Sequence, residues 1–409
     1  MPSTVRPLSA TGVDEQEATL FIALELSLSR WIVVASAPGE SKVSKHTVAA
    51  CDGPALLVLL DGLKKKAVQR RGSRVAVVAI QEAGRDGFWL HRLLEAHGIC
   101  SYVVDPASIA VNRRNRRAKT DRIDAEGLLR TLMAFCRGER KVCSMIRPPT
   151  RDAEDARRMT REREALLAER IRHTNRIKGL LATQGIFGFE PSWQVRRARL
   201  EELRTPQGQT IPPRLKAEIL RQIERLELIL QQIAEVEAAR DAALEGERQV
   251  AVTVEGSDTQ DRSAHVTLPA NEGAGARLLR LKGIGPETAS VLRLEAFQRI
   301  FGNRREVAAY AGLTPTPWQS GGIDNEQGIS KSGNGRLRRT MVQVAWFWLR
   351  NQPESALSRW YRDRVRDGHG RIKRIAIVAL ARKLLVALWR FVTQGLVPTG
   401  AELKPLKAA

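Results

Sequence analysis

Between Leu20 and Asp105 the chain alternates short β-branched apolar runs with helix-length stretches, and this pattern constrains the fold more than any other feature. From Leu20 it reads LFIALELSLSRWIVVASAPG, two strand-like runs joined by a polar turn at Ser27 to Arg30, the signature of a hairpin. Val43 to Ala49 extends as a third segment, and DGPALLVLLDGLKKKA has the length and leucine content of a helix. RVAVVAI follows as a continuously apolar strand, then a helix around Gly87 to His97, then the strand CSYVVD. Apolar strands alternating with helices need cover on both faces, so the pattern predicts an α/β domain with a buried sheet, closing near residue 140.

Beyond Pro148 the character changes. RDAEDARRMTREREALLAERIRHTNRIKGLLA is highly charged and contains no Gly or Pro before Gly179, which predicts a long helix. A second helix begins after Pro212 and Pro213, where Ile219, Ile223, Leu226, Leu230 and Ile233 recur in steps of four and three. That is a heptad seam, although an amphipathic helix packed on its own domain leaves the same stripe. The Gly/Pro-containing break at 184–213 favours a helical hairpin that projects from the body and offers its seam to another subunit. Residues 245–275 are polar and turn-rich and read as a linker or insertion, and Arg277 to about Gln394 reads as mostly helical. The expected division is a mobile tail at 1–18, the α/β domain at 19–145 and a helical, coiled-coil middle at 150–245. A linker at 246–275, a mainly α domain at 276–395 and a tail at 396–409 complete it.

The 67 Lys and Arg residues exceed the 45 Asp and Glu by 22, spread along the chain, and such an excess calls for a phosphate-rich partner. Nothing approaches the roughly 18 uninterrupted apolar residues that a bilayer span needs. The amino-terminal residues lack the apolar core of a secretory signal. Cys51, Cys100, Cys136 and Cys143 form no CxxC pair and, with six scattered histidines, match no zinc site, so reduced thiols in a cytoplasm are expected.

Four acids in the first domain occupy suggestive places. Glu25 interrupts an apolar strand, Glu82 follows the strand RVAVVAI, and Asp121 and Asp124 lie in KTDRIDAEGLL at a helix start. A spacing of three puts the two aspartates on one helix face. They would also complement the positive end of a helix capped by Thr120, with no further role. Glu25 is harder to explain, because a carboxylate inside an apolar strand must be exposed at an edge, paired or metal-bound. Hard cations such as Mg²⁺ choose such oxygens, and two of them clamp the attacking and leaving oxygens of a phosphodiester. Arg113, Arg114, Arg116, Arg117, Lys119 and Arg122, in NRRNRRAKTDR, form a basic flank suited to a nucleic-acid backbone, or simply a solvated charge run.

In the last third, LLRLKGIGPETASVL resembles a helix-hairpin-helix. Gly283 and Gly285, beside Lys282, would turn the chain so that amides at the next helix start face a phosphate. A helix stop followed by a Pro-initiated helix looks similar. In ISKSGNGRLRR, Lys331, Asn334, Arg336, Arg338 and Arg339 crowd a turn leading into an apolar helix, which suits phosphate binding. Trp346, Phe347 and Trp348 read as core or interface residues. WQSGG places Ser320 before a glycine pair, where a serine ordinarily serves a turn.

Glu25, Glu82, Asp121 and Asp124, the charged helical middle, and then GIGPETA, AAYAGLTP, QSGG and ISKSGNGRLR together resemble the DEDD-type transposases of insertion sequences. The family is the one numbered one hundred and ten, with its Piv-type DNA invertases, and the resemblance spans roughly residues 20 to 390. It implies a RuvC-like, RNase H-type first domain whose four acids bind Mg²⁺, as one or two ions. It also implies a serine nucleophile, mapping to Ser320, in a transposase domain at 276–395. Partners so implied are the element's DNA ends and target, a structured bridge-type guide RNA, and further copies in a homodimer or homotetramer that joins one subunit's acids to another's serine. The implied covalent serine-DNA link conserves bond energy, so no nucleotide triphosphate is needed, and no GxxxxGK[ST] loop is present. One departure stands out: the family's first acid is ordinarily Asp, and Glu25 carries its carboxylate about 1.5 Å further out. No histidine lies within forty residues of Ser320, so an acid-bound metal is the more economical activator. A metal-dependent resolvase using water, and a non-catalytic nucleic-acid scaffold, remain the alternative readings.

Overall fold

The computed structural model describes residues 18–40, 42–84, 87–109, 121–254, 273–320, 323–366, 368 and 370–404. Contacts divide the chain into two compact units, Met1–Thr150 and Arg151–Ala409.

The first unit is a mixed α/β domain consistent with an RNase H-like fold. Its strands are β1 (Ala18–Leu26), β2 (Arg30–Ser36), β3 (Ser44–Ala49), β4 (Val75–Glu82), β5 (Cys100–Val104) and β6 (Met145–Ile146), in the order β3-β2-β1-β4-β5-β6. β1 and β2 form the expected antiparallel hairpin, and β4 lies parallel to both β1 and β5. Strand alternation divides the side chains between two cores. Leu20, Ile22 and Leu24 pack with Leu56 and Leu60 of α1 (Gly53–Arg71) and Leu90 and Leu94 of α2 (Trp89–Ala96). Ala23, Val78 and Ile80 face the other way, onto Ala125, Leu128, Leu129 and Leu132 of α3 (Asp121–Cys136). Each such leucine taken fully out of water contributes about 1.5–3 kcal/mol, so both helical layers are held by the sheet they cover. α1 starts where Asp52 accepts from the Ala55 amide at 2.9 Å, and stops at Gly72, whose φ of 68° suits a residue without Cβ.

The second unit begins with two long helices, α4 (Arg151–Ala182) and α6 (Pro213–Val254), with the short α5 (Arg196–Glu202) in the connection. α6 has 42 residues and is about 63 Å long. The predicted seam is filled within the chain: Ile219, Ile223 and Leu226 pack on Ile177 and Leu181 of α4, and Ile229 and Ile233 pack on Leu166. Arg163 with Glu237 at 2.6 Å and Arg176 with Glu218 at 2.9 Å flank that antiparallel pair. The linker expected from residue 246 is helical up to Val254, and residues 255–272 lie outside the described ones. Glu247 explains part of the extension, since it pairs with Arg293 and accepts from the Gly275 amide.

A mainly helical body follows: α7 (Ala274–Leu279), α8 (Pro286–Leu292), a π-helical turn at Arg293–Phe297, α9 (Arg304–Tyr310), α10 (Gly335–Asn351), α11 (Ala356–Val365) and α12 (Gly370–Gln394). Its core joins Leu337, Met341, Val344 and Trp348 of α10 to Leu380, Leu384, Leu388 and Phe391 of α12. Trp348 is buried and donates from Nε1 to Ser355 Oγ at 2.8 Å, whereas Trp346 and Phe347 are half exposed. Between α9 and α10 the chain departs from the expected helix: β7 (Pro315–Ser320) and β8 (Ile323–Ile329) form a two-stranded antiparallel hairpin. The tail predicted from residue 396 also needs correction up to Lys404. Val397, Ala401 and Leu403 pack on the helical core, Leu403 bridges to Leu281, and the Lys404 amide donates to the Arg280 carbonyl at 2.6 Å.

Candidate active site

The carboxyl ends of β1 and β4 lie side by side, and the chain leaves them in opposite directions, β1 turning into β2 and β4 leading through α2 to β5. Diverging connections at neighbouring parallel strands open a crevice, the usual ligand site of such sheets. The last registered pair of these strands is Leu24 with Gln81, so Glu25 and Glu82 come next, on backbones about 4.8 Å apart. Both are half-buried and both line one cleft of about 220 Å³, with Leu26, Ser27, Leu28, Ala83, Gly84 and Gly87. The Ala83 amide still donates to the Val104 carbonyl at 2.9 Å, which keeps the strand end rigid beneath Glu82.

Glu25 shares the parity of Ala23, and Glu82 that of Val78 and Ile80, so both belong to the sheet face that α3 covers. Asp121 and Asp124 occupy the first turn of that helix. Helical spacing sets Asp124 in line with Leu128 and Phe135. Glu25, Glu82 and Asp124 therefore fall on one face of one sheet. The described side chains bring Glu25 and Glu82 into a shared cleft, and Asp124 is half-buried. The Asp121 side chain, Thr120 and the basic flank Arg113, Arg114, Arg116, Arg117 and Lys119 lie outside the described residues. Among the described residues no three metal-ligating side chains form a cluster. β5 also ends in an acid, Asp105, but Val104 is registered opposite Glu82, so alternation turns Asp105 to the other face.

In the second unit Ser320 closes the β7–β8 ladder, paired with Ile323 across Gly321 and Gly322. Its backbone is described; its side chain is not. The base of this hairpin is clamped where two loops cross. Gly312 has φ 65° and a Cβ there would overlap the Ser332 carbonyl oxygen, and Gly333 has φ 83° and would overlap that of Tyr310. Between them the Ser330 amide donates to Thr314 O at 2.9 Å, and the Lys331 amide donates to Gly312 O at 3.3 Å. Lys331 itself holds a left-handed φ of 57°, an uncommon conformation for a side chain with a Cβ.

Several residues expected to hold phosphate are instead committed within the protein. Asn334 caps α10, accepting from the Leu337 amide at 3.0 Å, and donates to Glu295 at 2.9 Å and to the Tyr310 hydroxyl at 3.3 Å. Arg336 lies 3.4 Å from Glu164 and donates to the Thr160 carbonyl, and Arg338 donates to the Ala311 and Ser332 carbonyls. Lys282 pairs with Glu402, and Arg339, largely exposed, donates to Glu164 at 2.6 Å. Gly283 is left-handed at φ 84° and abuts Asn351, but Gly285 is extended at φ −100° with open space around it, so the turn uses only the first glycine's freedom. The residue that organises this region, Glu295, was not anticipated. Its carboxylate is 2% exposed and collects Asn334, Arg161 at 3.3 Å and Arg336 at 3.9 Å. The signal was present in VLRLEAF, a carboxylate inside an apolar run, as at Glu25.

Comparison with known proteins identifies the family. Residues 275–361 match the transposase IS116/IS110/IS902 family, and residues 30–185 match the DEDD transposases of IS110. The chain is 52% identical over 401 residues to a putative transposase, y4rJ, of Sinorhizobium fredii, covering 98% of each. It is 28% identical to the transposase for insertion sequence element IS1328 of Yersinia enterocolitica, over 68% of this chain and 73% of that one. A probable family 20 transposase of Pseudomonas aeruginosa is 26% identical over 78% and 84% of the two chains.

Proposed function

Because the chain belongs to the IS110 family of transposases, we propose that it cuts and rejoins DNA through a serine-DNA intermediate, with acids of the first unit and Ser320 of the second supplying the chemistry. The observation that carries this reading is the Glu25–Glu82 pair at the mouth of one crevice.

Two half-buried carboxylates on adjacent strand ends offer hard oxygen donors, and Asp124 lies on the same sheet face. Mg²⁺ suits such a set, since it keeps several waters and takes only one or two carboxylates plus substrate phosphate. When bound, one or two such ions neutralise phosphate charge and favour the ionised hydroxyl. Glu25 and Glu82 hold the donor atoms in place on rigid strands. Ser320 Oγ attacks phosphorus: an Oγ–P bond forms, a P–O3′ bond breaks, and the hydroxyl proton is taken up by the departing 3′-oxygen. A 3′-hydroxyl of the recipient strand then reverses the exchange. One phosphoester replaces another at each step, so no nucleotide triphosphate is consumed. The clamp at Gly312 and Gly333 serves this step by holding the hairpin base rigid beneath a serine at its tip.

The charge excess of 22 supports contacts to DNA and to a bridge-type guide RNA, with the basic flank at Arg113 to Lys119 among them. In this reading α4 and α6 form a coiled-coil arm, and α7 and α8 with the Gly283 turn form a helix-hairpin-helix element. The working species is a homodimer or homotetramer in the cytoplasm, bound to the nucleoid.

The test is Glu82→Gln and Glu25→Gln protein incubated with the element's DNA ends, guide RNA and Mg²⁺. Both variants should retain DNA binding and their melting transition while losing strand cleavage by at least about 100-fold, and Mn²⁺ binding followed by electron paramagnetic resonance should weaken in parallel. Undiminished cleavage removes the acids from the chemistry. Cleavage that leaves only free ends, without attached protein, replaces the serine with water.

A further inference from the structure

Residues Arg359 to Arg374 carry seven Arg and Lys against only Asp363 and Asp367. They span the corner where α11 gives way to α12. The corner is tight: a Cβ on Gly368 would stand 2.8 Å from Ile372 Cβ. Beyond it every residue from Gly370 to Ile375 is exposed, on all sides of the helix, and burial begins only at Ala376. α12 therefore projects its first turn and a half past the body before it enters the core.

Two features of this projection are unfavourable to the isolated protein. Arg371, Lys373 and Arg374 sit at the positive end of the helix dipole, whose first turn holds no acid, where cations destabilise by about 0.3–1 kcal/mol each. Among the described residues none of the three is ion-paired. Ile372 and Ile375 are 44% and 55% exposed between these cations. A polyanion with apolar spots between its charges resolves both: phosphates satisfy the cations and the helix end, and thymine methyls cover the isoleucines.

We propose that the amino-terminal end of α12 docks in the major groove of B-form DNA, with Arg359 of α11 and Arg366 just beyond its end on the flanking phosphates. A helix with side chains is 10–12 Å across, and the B-form major groove is about 12 Å wide. The A-form RNA major groove is too narrow for it, so the geometry selects DNA over RNA duplex. The surface rests on the reading that the chain acts on DNA, but not on Ser320 or on the acids, and it lies largely outside the residues that match the family at 275–361.

The experiment is fluorescence anisotropy of the full chain with a labelled 20-base-pair DNA duplex across a salt series. Arg371→Gln/Lys373→Gln/Arg374→Gln is compared with Lys64→Gln/Lys65→Gln/Lys66→Gln, an exposed triple of equal charge on α1. Loss of three phosphate contacts should lower the slope of log affinity against log salt by about 2.7 and the affinity by about ten-fold or more at physiological salt. The α1 triple should keep the slope, and Arg374→Gln alone should lower it by about one. An unchanged slope in the α12 triple, or an equal fall in both triples, overturns the proposal. So does a loss confined to the matching RNA duplex, or a fall in assembly mass by light scattering, which would give the surface to a second copy. Wild-type protein that binds no DNA at all would instead remove the functional reading beneath it.

Discussion

Glu295 permits a quantitative test of how the serine hairpin is supported. Its carboxylate is 2% exposed and accepts from Asn334, whose side chain also caps α10. Arg161 is 59% exposed, so its share of the pairing is screened and small. Arg336 is different: it is 14% exposed, 3.9 Å from Glu295, and its buried NH1 makes no hydrogen bond among the described residues. Removing the acid leaves the buried NH1 of this guanidinium without its carboxylate, while Thr160 and Glu164 still hold its other nitrogens. Breaking a buried pair from one side costs about 3–5 kcal/mol, and the long separation places Glu295→Ala near 3 kcal/mol. For a unit of this size each kcal/mol moves the melting temperature by about 2–4 °C, giving a fall of about 6–12 °C. Glu295→Gln keeps an oxygen for Asn334 and should lose about half as much. Differential scanning calorimetry at neutral pH measures both, and hydrogen exchange at the Leu337 amide should rise with the lost cap. Glu295→Ala melting within about 2 °C of wild type would refute the assignment.

Further outcomes follow from other sites. Gly312→Ala forces a Cβ into a left-handed position and onto the Ser332 carbonyl, so it should destabilise the second unit by more than the roughly 1–2 kcal/mol of the backbone conformation alone, read from urea midpoints. Burial holds the His91 imidazole below its usual pKa, so the unfolded chain takes up a proton that the folded one refuses. Stability from this group is full above about pH 6.5 and declines as pH falls from there toward the lowered value; His91→Gln should flatten the urea midpoint between pH 7.5 and 5.5. Burial pushes the Cys143 thiol above its usual range, so at pH 8 iodoacetamide should label it more slowly than a free thiol in solution, and comparable rates would contradict that environment.

The sheet was readable because its central strands are long apolar runs, and buried parallel strands leave that trace whatever surrounds them. Glu25 stood out for the same reason: a charge in such a run needs an explanation, and the crevice at the strand ends provides one. The seam of α6 was equally plain in Ile219, Ile223 and Leu226, but its partner was not, because a heptad stripe does not say whether the facing helix belongs to the same chain. The β7–β8 hairpin escaped because Pro315, Pro317, Gly321 and Gly322 speak for turns, and what fixes its base is the crossing at Gly312 and Gly333, a tertiary contact. Arg336 shows the limit most clearly. In the sequence it is one of several cations beside a glycine turn; in the fold its donors go to Thr160 and Glu164, about 170 residues earlier.

The covalent intermediate is the claim on which the account turns, and it is measured most directly by mapping the site of attachment. Transposase, guide RNA and a DNA end carrying a break that prevents religation are incubated with Mg²⁺, denatured, digested and analysed by mass spectrometry. The account predicts a nucleotide-phosphoserine adduct on the peptide containing Ser320, absent from Ser320→Ala protein and greatly reduced in Glu82→Gln protein. An adduct on another residue, or one that survives Ser320→Ala, would contradict it.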